Sequence, residues 1–375
     1  MKKVKMKIFV KQIRGVSYKP EDLHNELDEN SVILLRANNI DDGRINFDDV
    51  VYVDKGKVSD EQYLRVGDIL ICASSGSKNL VGKAASVTFE RECTFGAFCK
   101  VVRPKTENEK YLGVYFQSPA YRRKISEVAM GANINNIRNE HIDELDIPVY
   151  SFGEQTDIVK KIHLIQDIIA KCKDELINLD KLIKARFVEM FGDININNKN
   201  WNCESLGELC TIVRGGSPRP IEQFLGGDIP WIKIGDASTD EKIYINSTKE
   251  YIIQEGVKKS RLVKAGSLIF ANCGASLGFA RIITFEGCIH DGWLAMEDID
   301  KRLDKVFLLQ ALNQMTEHFR NIAPAGTQPN LNTAIMKSYK QVIPPLELQK
   351  DFVSFLKQVN KSKLYKLIVF HKNKF

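Results

Sequence analysis

His290 is followed by Asp291, and an imidazole beside a carboxylate is half of what general-base catalysis requires. The sequence offers no nucleophile motif to complete it. The six histidines (24, 141, 163, 290, 318, 371) are scattered, without HExxH or Cys/His spacing, so no metal site is indicated. The eight cysteines show no CxxC and fit reduced, mostly buried residues of a cytosolic protein. G-x-x-x-x-G-K-[ST] and G-x-G-x-x-G are both missing. IPPL at 343–346 lacks the polar residue of the Asp/Asn-Pro-Pro-aromatic run used by amino-methyltransferases. Asp240-Glu241-Lys242 has the look of a charged turn. Catalysis by this chain alone is therefore not expected.

What remains is a set of polar loops: RGVSYKP (14–20), SSGSKN (74–79) and GANINNI (131–137), then RGGSPRP (214–220), ANCGASLG (271–278) and GTQPNLN (326–332). Strand-like runs precede or flank them. In the first half these are SVILLRANNI (31–40), VVYVD (50–54), DILICAS (68–74), ASVTF (85–89) and FGAFCKVV (95–102); residues 111–130 look helical, interrupted at Pro119.

The order then repeats. Arg14-Gly15-Val16-Ser17 matches Arg214-Gly215-Gly216-Ser217 at an offset of 200, and RVGDILICASSGS matches VKAGSLIFANCGASLG at 199 on Gly67/Gly266. DIPWIKIGDAS stands where VILLRANNI stood, VFLLQALNQMTEHFR (306–320) where YLGVYFQSPAYRRK stood, and GTQPNLN follows GANINNI at 195. Five matches in one order argue for duplication. The first half shows no clear counterpart of Trp201 through Leu209.

Between the halves lies a helix over about Gln155–Phe191. Ile158, Ile162, Ile165, Ile169, Cys172, Leu176, Leu179 and Ile183 alternate steps of four and three, a heptad seam with charged flanks. Ser151 and Glu154 form a capping box and Gly192 a stop; His163, off the seam, is expected at the surface. A second, shorter helix follows the second half, with Phe352, Phe355 or Leu356, Val359 and Leu367 as seam candidates. Each seam needs an apolar partner, and the other helix is the nearest. The expected fold is thus α+β: two duplicated globular α/β domains, 1–150 and 193–345, separated by helices at 151–192 and 346–375. Those helices are expected to pair as an antiparallel coiled coil with pseudo-two-fold symmetry.

Charge adds little direction. The net charge is +6, and the first 20 residues and the last 28 carry excesses of seven and six, so the bulk between is negative by seven. That is not the footprint of a nonspecific polyanion binder. No run of 18 apolar residues exists for a membrane span, and the basic start lacks the apolar stretch of a signal peptide.

Duplicated halves, each ending in Ile-Pro and then a glutamine at the head of a long helix, resemble the DNA specificity subunit of type I restriction–modification enzymes. The residues that carry the resemblance are Leu206–Leu209 with Arg214–Pro218, Gly266–Ile269, Gly326–Leu331 and Ile343–Gln349, and in the first half Gly67–Leu70 and Ile147-Pro148 through Gln155. The resemblance implies target recognition domains that each read half of a split double-stranded DNA site. The helices would set the spacing and dock two methyltransferase subunits, through which restriction subunits join. S-adenosylmethionine, ATP and Mg²⁺ would be used by those partners, with no cofactor or metal in this cytoplasmic chain. The rival is a coiled-coil scaffold that never touches DNA, which would lack basic, hydrogen-bonding loops on a common face.

The resemblance makes the polar loops the candidates for DNA contact. Arg14, Ser17 and Lys19, with Arg214, Ser217 and Arg219, occupy turns after apolar strands; a plain surface turn is the alternative. Ser74, Ser75, Lys78, Asn79 and Lys83 form a polar-basic cluster whose counterpart is Asn272, Ser276 and Arg281. Asn and Arg can bond bidentately to adenine and guanine edges, and Lys and Ser suit phosphates. Asn133, Asn135 and Asn136, with Gln328, Asn330 and Asn332, either reach bases or cap turns. Trp231 is expected in the core.

Overall fold

The structure is a computed structural model; it describes residues 3–41, 43–77, 79–105, 109–128, 135–237, 241–274, 276–324 and 329–372, with side chains at all of these except 135 and 364–372. The chain divides into two compact units, Met1–Ala170 and Lys171–Phe375. The division falls inside one helix, Phe152–Phe191, 40 residues long. Its start is the expected capping box. The Ser151 amide and hydroxyl both donate to Glu154 Oε2, at 2.8 and 2.7 Å. It stops at Gly192, whose φ of +77° suits a residue without Cβ.

The first unit layers two four-stranded sheets and a pair of helices. One sheet runs Ala84–Ser86, Ile69–Cys72, Cys99–Pro104, Val10–Arg14; the other runs Cys93–Phe95, Ser31–Leu35, Val51–Asp54, Leu23–His24. Strand alternation explains the layering. Ile69 and Ile71 face one way, into a core with Phe116, Tyr121 and Ile125 of the helices Glu109–Gln117 and Pro119–Val128. Leu70 and Cys72 face the other way, against Ile33, Leu35 and Phe95 of the second sheet. Ser31–Leu35 is covered on both faces and is buried throughout, hence its unbroken apolar run.

The second unit repeats this plan. Its first sheet runs Thr211–Arg214, Trp293–Glu297, Leu268–Ala271, Ala280–Ile283, Tyr244–Ile245; its second runs Glu250–Ile252, Leu225–Ile232, Gly287–Ile289, Arg261–Val263. Leu268 and Phe270 pack with Phe307, Leu308 and Phe319 of the helices, and Ile269 and Ala271 with Ile232 and Ile289 of the facing sheet. The duplication extends to pairing direction. Cys93–Phe95 lies parallel to Ile33–Leu35, and Cys288–Ile289 parallel to Trp231–Ile232, among mainly antiparallel neighbours.

Two expectations are corrected. The apolar run 95–102 is not one strand. It ends in one sheet at Phe95, turns through Gly96–Phe98 and re-enters the other sheet at Cys99. The first half also has its counterpart of residues 201–209. Lys3–Lys5 pairs with Asp146–Pro148 as Asn202–Ser205 pairs with Lys340–Ile343, and a helical turn follows each, Met6–Ile8 and Leu206–Leu209. The charged KVK stretch concealed it in the sequence.

Within the second unit, the end of the central helix packs antiparallel on the helix Leu346–Lys372. Phe187 and Phe191 meet Phe352 at ring-centroid distances of 5.3 and 5.5 Å, Ile183 shares a core with Leu356 and Val359, and Asp180 pairs with Lys363. Gln349 fixes the start of this helix. Fully buried, it donates to the carbonyls of Arg302 and Pro344 and accepts from the Asp304 amide. Gln155 donates to the Tyr150 carbonyl at the matching place in the first unit. The seam is drier at its ends than in its middle. Ile183 is buried, whereas Ile165 is 49% exposed, with Leu164, Ile168 and Ile177 also exposed.

Candidate nucleic-acid interface

In each unit the polar loops converge at one end of the sheets, and main-chain hydrogen bonds lock them there. In the first unit the turn after Val10–Arg14 is held by Val16 N donating to Phe95 O (2.8 Å). Ala73 N and Ser74 N both donate to Phe98 O, at 2.9 and 3.0 Å, and Ile137 N donates to Ala73 O. Ser74 and Ser75 pair as a short strand with Asn136 and Asn135. Arg14 and Ser17 are exposed there beside the Gly96–Phe98 turn.

The second unit builds the same knot. Gly215 N donates to Trp293 O and Gly216 N to Ile289 O; Asn272 N donates to Gly292 O, and Leu331 N to Asn272 O at 2.8 Å. Cys273 bridges to Asn330. The glycine in both Arg-Gly turns has a steric cause. A Cβ on Gly15 would sit 2.2 Å from Gly96 O, and one on Gly215 2.2 Å from His290 O. The turn can close on the neighbouring tip only without a side chain.

The tips differ between units. In the second, Asp291 gathers its neighbours. Ser217 Oγ donates to Asp291 Oδ1 (2.8 Å), Arg214 Nε to Asp291 O (3.2 Å), and Arg219 Nη2 lies 3.8 Å from Asp291 Oδ2. The Arg219 side chain is 80% exposed, leaving most of its donors free for a partner. Burial holds the His290 imidazole below its ordinary pKa, and the Asp291 carboxylate opposes this in part. Its Nδ1 lies 2.9 Å from the Gly292 amide, as an acceptor. The His290–Asp291 pair thus shapes a turn. In the first unit the tip carries Phe98, 70% exposed.

Of the candidate contact residues, Arg14, Ser17, Lys19, Asn79, Arg214, Arg219 and Ser276 are exposed, and Lys19 lies 3.4 Å from Glu21. Ser74, Ser75 and Lys83 are half-buried; Lys83 lies 3.9 Å from Asp41. Asn79 also contributes its carbonyl to Arg122 Nη2 (2.9 Å). Two candidates are corrected. Asn272 is fully buried, and its amide donates to Asn330 Oδ1 (2.9 Å) and Leu331 O (3.3 Å), so it positions the 329–331 loop rather than facing a ligand. Arg281 is also buried, its guanidinium 4.6 Å from the Phe279 ring centroid, Nη1 donating to Ala280 O, and desolvation lowering its pKa to about 10. It packs; it does not reach out. Lys78, Asn133 and Gln328 fall outside the described residues, and Asn135 is described only in its backbone. Asn332 caps the helix Thr333–Ser338 through Ile335 N (2.9 Å). Trp231 lies in the core as expected. Sequence reasoning missed Phe98 and Asp291 as loop-end residues. The available signal was Gly96 within FGAFC, aligned by the duplication with IHDGW.

Among the described residues there is no helix long and apolar enough to cross a membrane and no cluster of His, Cys, Asp or Glu able to hold a metal.

Comparison with known proteins agrees with this arrangement. The family model for the type I restriction modification DNA specificity domain matches residues 18–179 and again 198–367. The type I restriction enzyme EcoKI specificity subunit of Escherichia coli K12 is 30% identical over 374 residues, spanning 92% of this chain and 79% of that protein. The StySPI specificity subunit of Salmonella potsdam is 28% identical over 368 residues, with the same coverage. A chain from a solved type I R-M system superposes with a TM-score of 0.62 at 17% identity, covering 99% of this chain and 94% of its own. The S subunit from M. genitalium gives 0.52 at 14% identity, covering 98% and 93%. With two matches of the domain model over most of its length, the chain belongs to the type I restriction–modification DNA specificity family.

Proposed function

We propose that this chain is the DNA-reading subunit of a type I restriction–modification complex. Each unit reads one half of a bipartite duplex site through its loop cluster, and the helix Phe152–Phe191 sets the unread gap. The observation that carries this reading is the same knot of loops built twice, with exposed Arg14 and Ser17 in one and Arg219 and Ser276 in the other. A scaffold that never touches DNA gives no reason for it.

Methyl transfer and cleavage, with their S-adenosylmethionine, ATP and Mg²⁺, belong to partner subunits in the cytoplasm. Two methyltransferase subunits dock on this chain, and restriction subunits join through them. Paired clefts favour two equal docking places. One of about 310 Å³ is lined by Gln117 and Gln166, and one of about 580 Å³ by Gln314 and Asn360, in matching positions of the repeat. Exposed Leu164, Ile168 and Ile177 on the long helix add apolar surface for a partner.

The test is an exchange of residues 200–340 for the matching segment of a relative, followed by mapping methylated bases in cells carrying the assembled system. One half of the recognised sequence should change and the other stay. Changes in both halves, or no sequence-dependent methylation, would overturn the reading.

A further inference from the structure

Phe98 has an apolar ring 70% exposed, at a place where its neighbours in sequence are buried: Phe95 at 0% and Cys99 at 1%. The ring is not a loose surface residue. Cys99 N donates to Gly96 O (2.8 Å) and closes the turn. Phe98 O takes two main-chain donors, from Ala73 and Ser74, and Phe95 O takes a third from Val16. The backbone is thus clamped between the Arg14 turn on one side and the Ser74 loop on the other. An aromatic ring that stands in water on this fixed backbone, on the loop end that also carries Arg14, Ser17, Ser74, Ser75 and Asn136, gains nothing from the fold itself. Burying it on a partner recovers free energy at little cost in loop order, since the backbone is already fixed.

We infer that Phe98 is a specificity-determining residue of the first unit, lying against the 5-methyl group of a thymine in the major groove. The inference rests on the DNA-reading function proposed above. Major-groove edges offer donors, acceptors and one apolar feature, the thymine methyl, and an aromatic ring complements only the last. The polar residues around it supply the contacts to phosphates and to the other edges. The second unit cannot make this contact. Gly292 occupies the place of Phe98, as the shared main-chain bonds from Ala73 and Asn272 establish, and Asp291 beside it carries a carboxylate that accepts from Ser217 Oγ and lies 3.8 Å from Arg219 Nη2. A carboxylate suits the cytosine amino group or the orientation of an arginine, so the two half-sites are read with different chemistry.

The test uses the complete complex with its methyltransferase partners and duplex oligonucleotides carrying the mapped site. Wild type and Phe98→Ala are compared on that duplex, on duplexes in which each thymine of the first half-site is replaced singly by deoxyuridine, and on a scrambled duplex. One replacement should weaken wild-type binding about four-fold, the worth of roughly one buried methyl group. The same replacement should leave Phe98→Ala unchanged, and the second half-site and the salt slope should stay as in wild type. Equal sensitivity of both proteins to every replacement, or uniform weakening on the scrambled duplex as well, would overturn the inference. If wild type itself fails to prefer the mapped site over the scrambled one, the DNA-reading proposal falls instead. Phe98→Leu, which keeps an apolar side chain, should retain part of the discrimination; its full loss in a folded complex would also count against the thymine contact.

Discussion

The second unit should depend on Phe187 more than on any charged contact along the same helix. Phe187 is 1% exposed. Its ring stacks on Phe307 at 5.8 Å and 13°, meets Phe352 edge-on at 5.3 Å, and lies 4.9 Å from Phe191. It therefore joins the central helix to the C-terminal helix and to the domain helix Lys305–Gln314. Phe187→Ala removes the ring and leaves a cavity among three other rings, a loss of ~3–5 kcal/mol. With a urea m-value of ~3 kcal/mol per M for a unit of this size, the midpoint should fall by roughly 1–2 M. The assay is favoured by composition, because all three tryptophans (201, 231 and 293) lie in the second unit. Tryptophan emission thus follows that unit alone. Leu182→Ala, at a residue 47% exposed on the same helix, is the control and should stay within about 0.5 kcal/mol of wild type. A Phe187→Ala midpoint within about 0.3 M of wild type would refute the assignment of the aromatic cluster as the joint between these helices.

Arg219→Ala should weaken DNA binding by the assembled complex. If its free donors meet a phosphate, the slope of log affinity against log salt falls by about one unit without a change of preference; an unchanged salt titration would return Arg219 to a surface turn. His290 gives a pH signature. Because burial depresses its pKa in the folded state, the unfolded chain binds the proton more tightly, so stability of the second unit should decline as pH falls below about 6.5. In His290→Gln, tryptophan-monitored urea midpoints between about pH 6.5 and 5 should vary less; a profile parallel to wild type would mean the loss comes from other groups. Seven residues added to each helix at the level of the Asp180–Lys363 pair keep the heptad phase and lengthen the helix by ~10 Å, or about three base pairs. The mapped site should then gain that many unread pairs, and a folded variant with the original gap would assign the spacing to the partner subunits.

The long helix, its caps and the order of the repeat were legible because they rest on local signals: a period, Ser151 with Glu154, Gly192. The loop ends were not, because their state is set by residues far away in sequence. Asn272 is a polar residue in a polar loop, and only the approach of Leu331 and Asn330 turns it inward. Arg281 is buried by Phe279 and its sheet, although its charge marks it for the surface. The apolar run 95–102 hides a sheet-to-sheet crossing, since both sheets ask for the same residue types and the turn between them spans Gly96 to Phe98. Duplication supplies what a single domain could not. Where both halves keep one residue for one structural task, as with Gly15 and Gly215 against a neighbouring carbonyl or Gln155 and Gln349 at a helix start, the backbone dictates the choice. Where the backbone is the same and the side chains diverge, as at Ala97 and Asp291 or Phe98 and Gly292, the fold has left the choice free. Under the proposed function, those positions are where two different half-sites would be written, and they lie on the loop ends rather than in the strands that hold them.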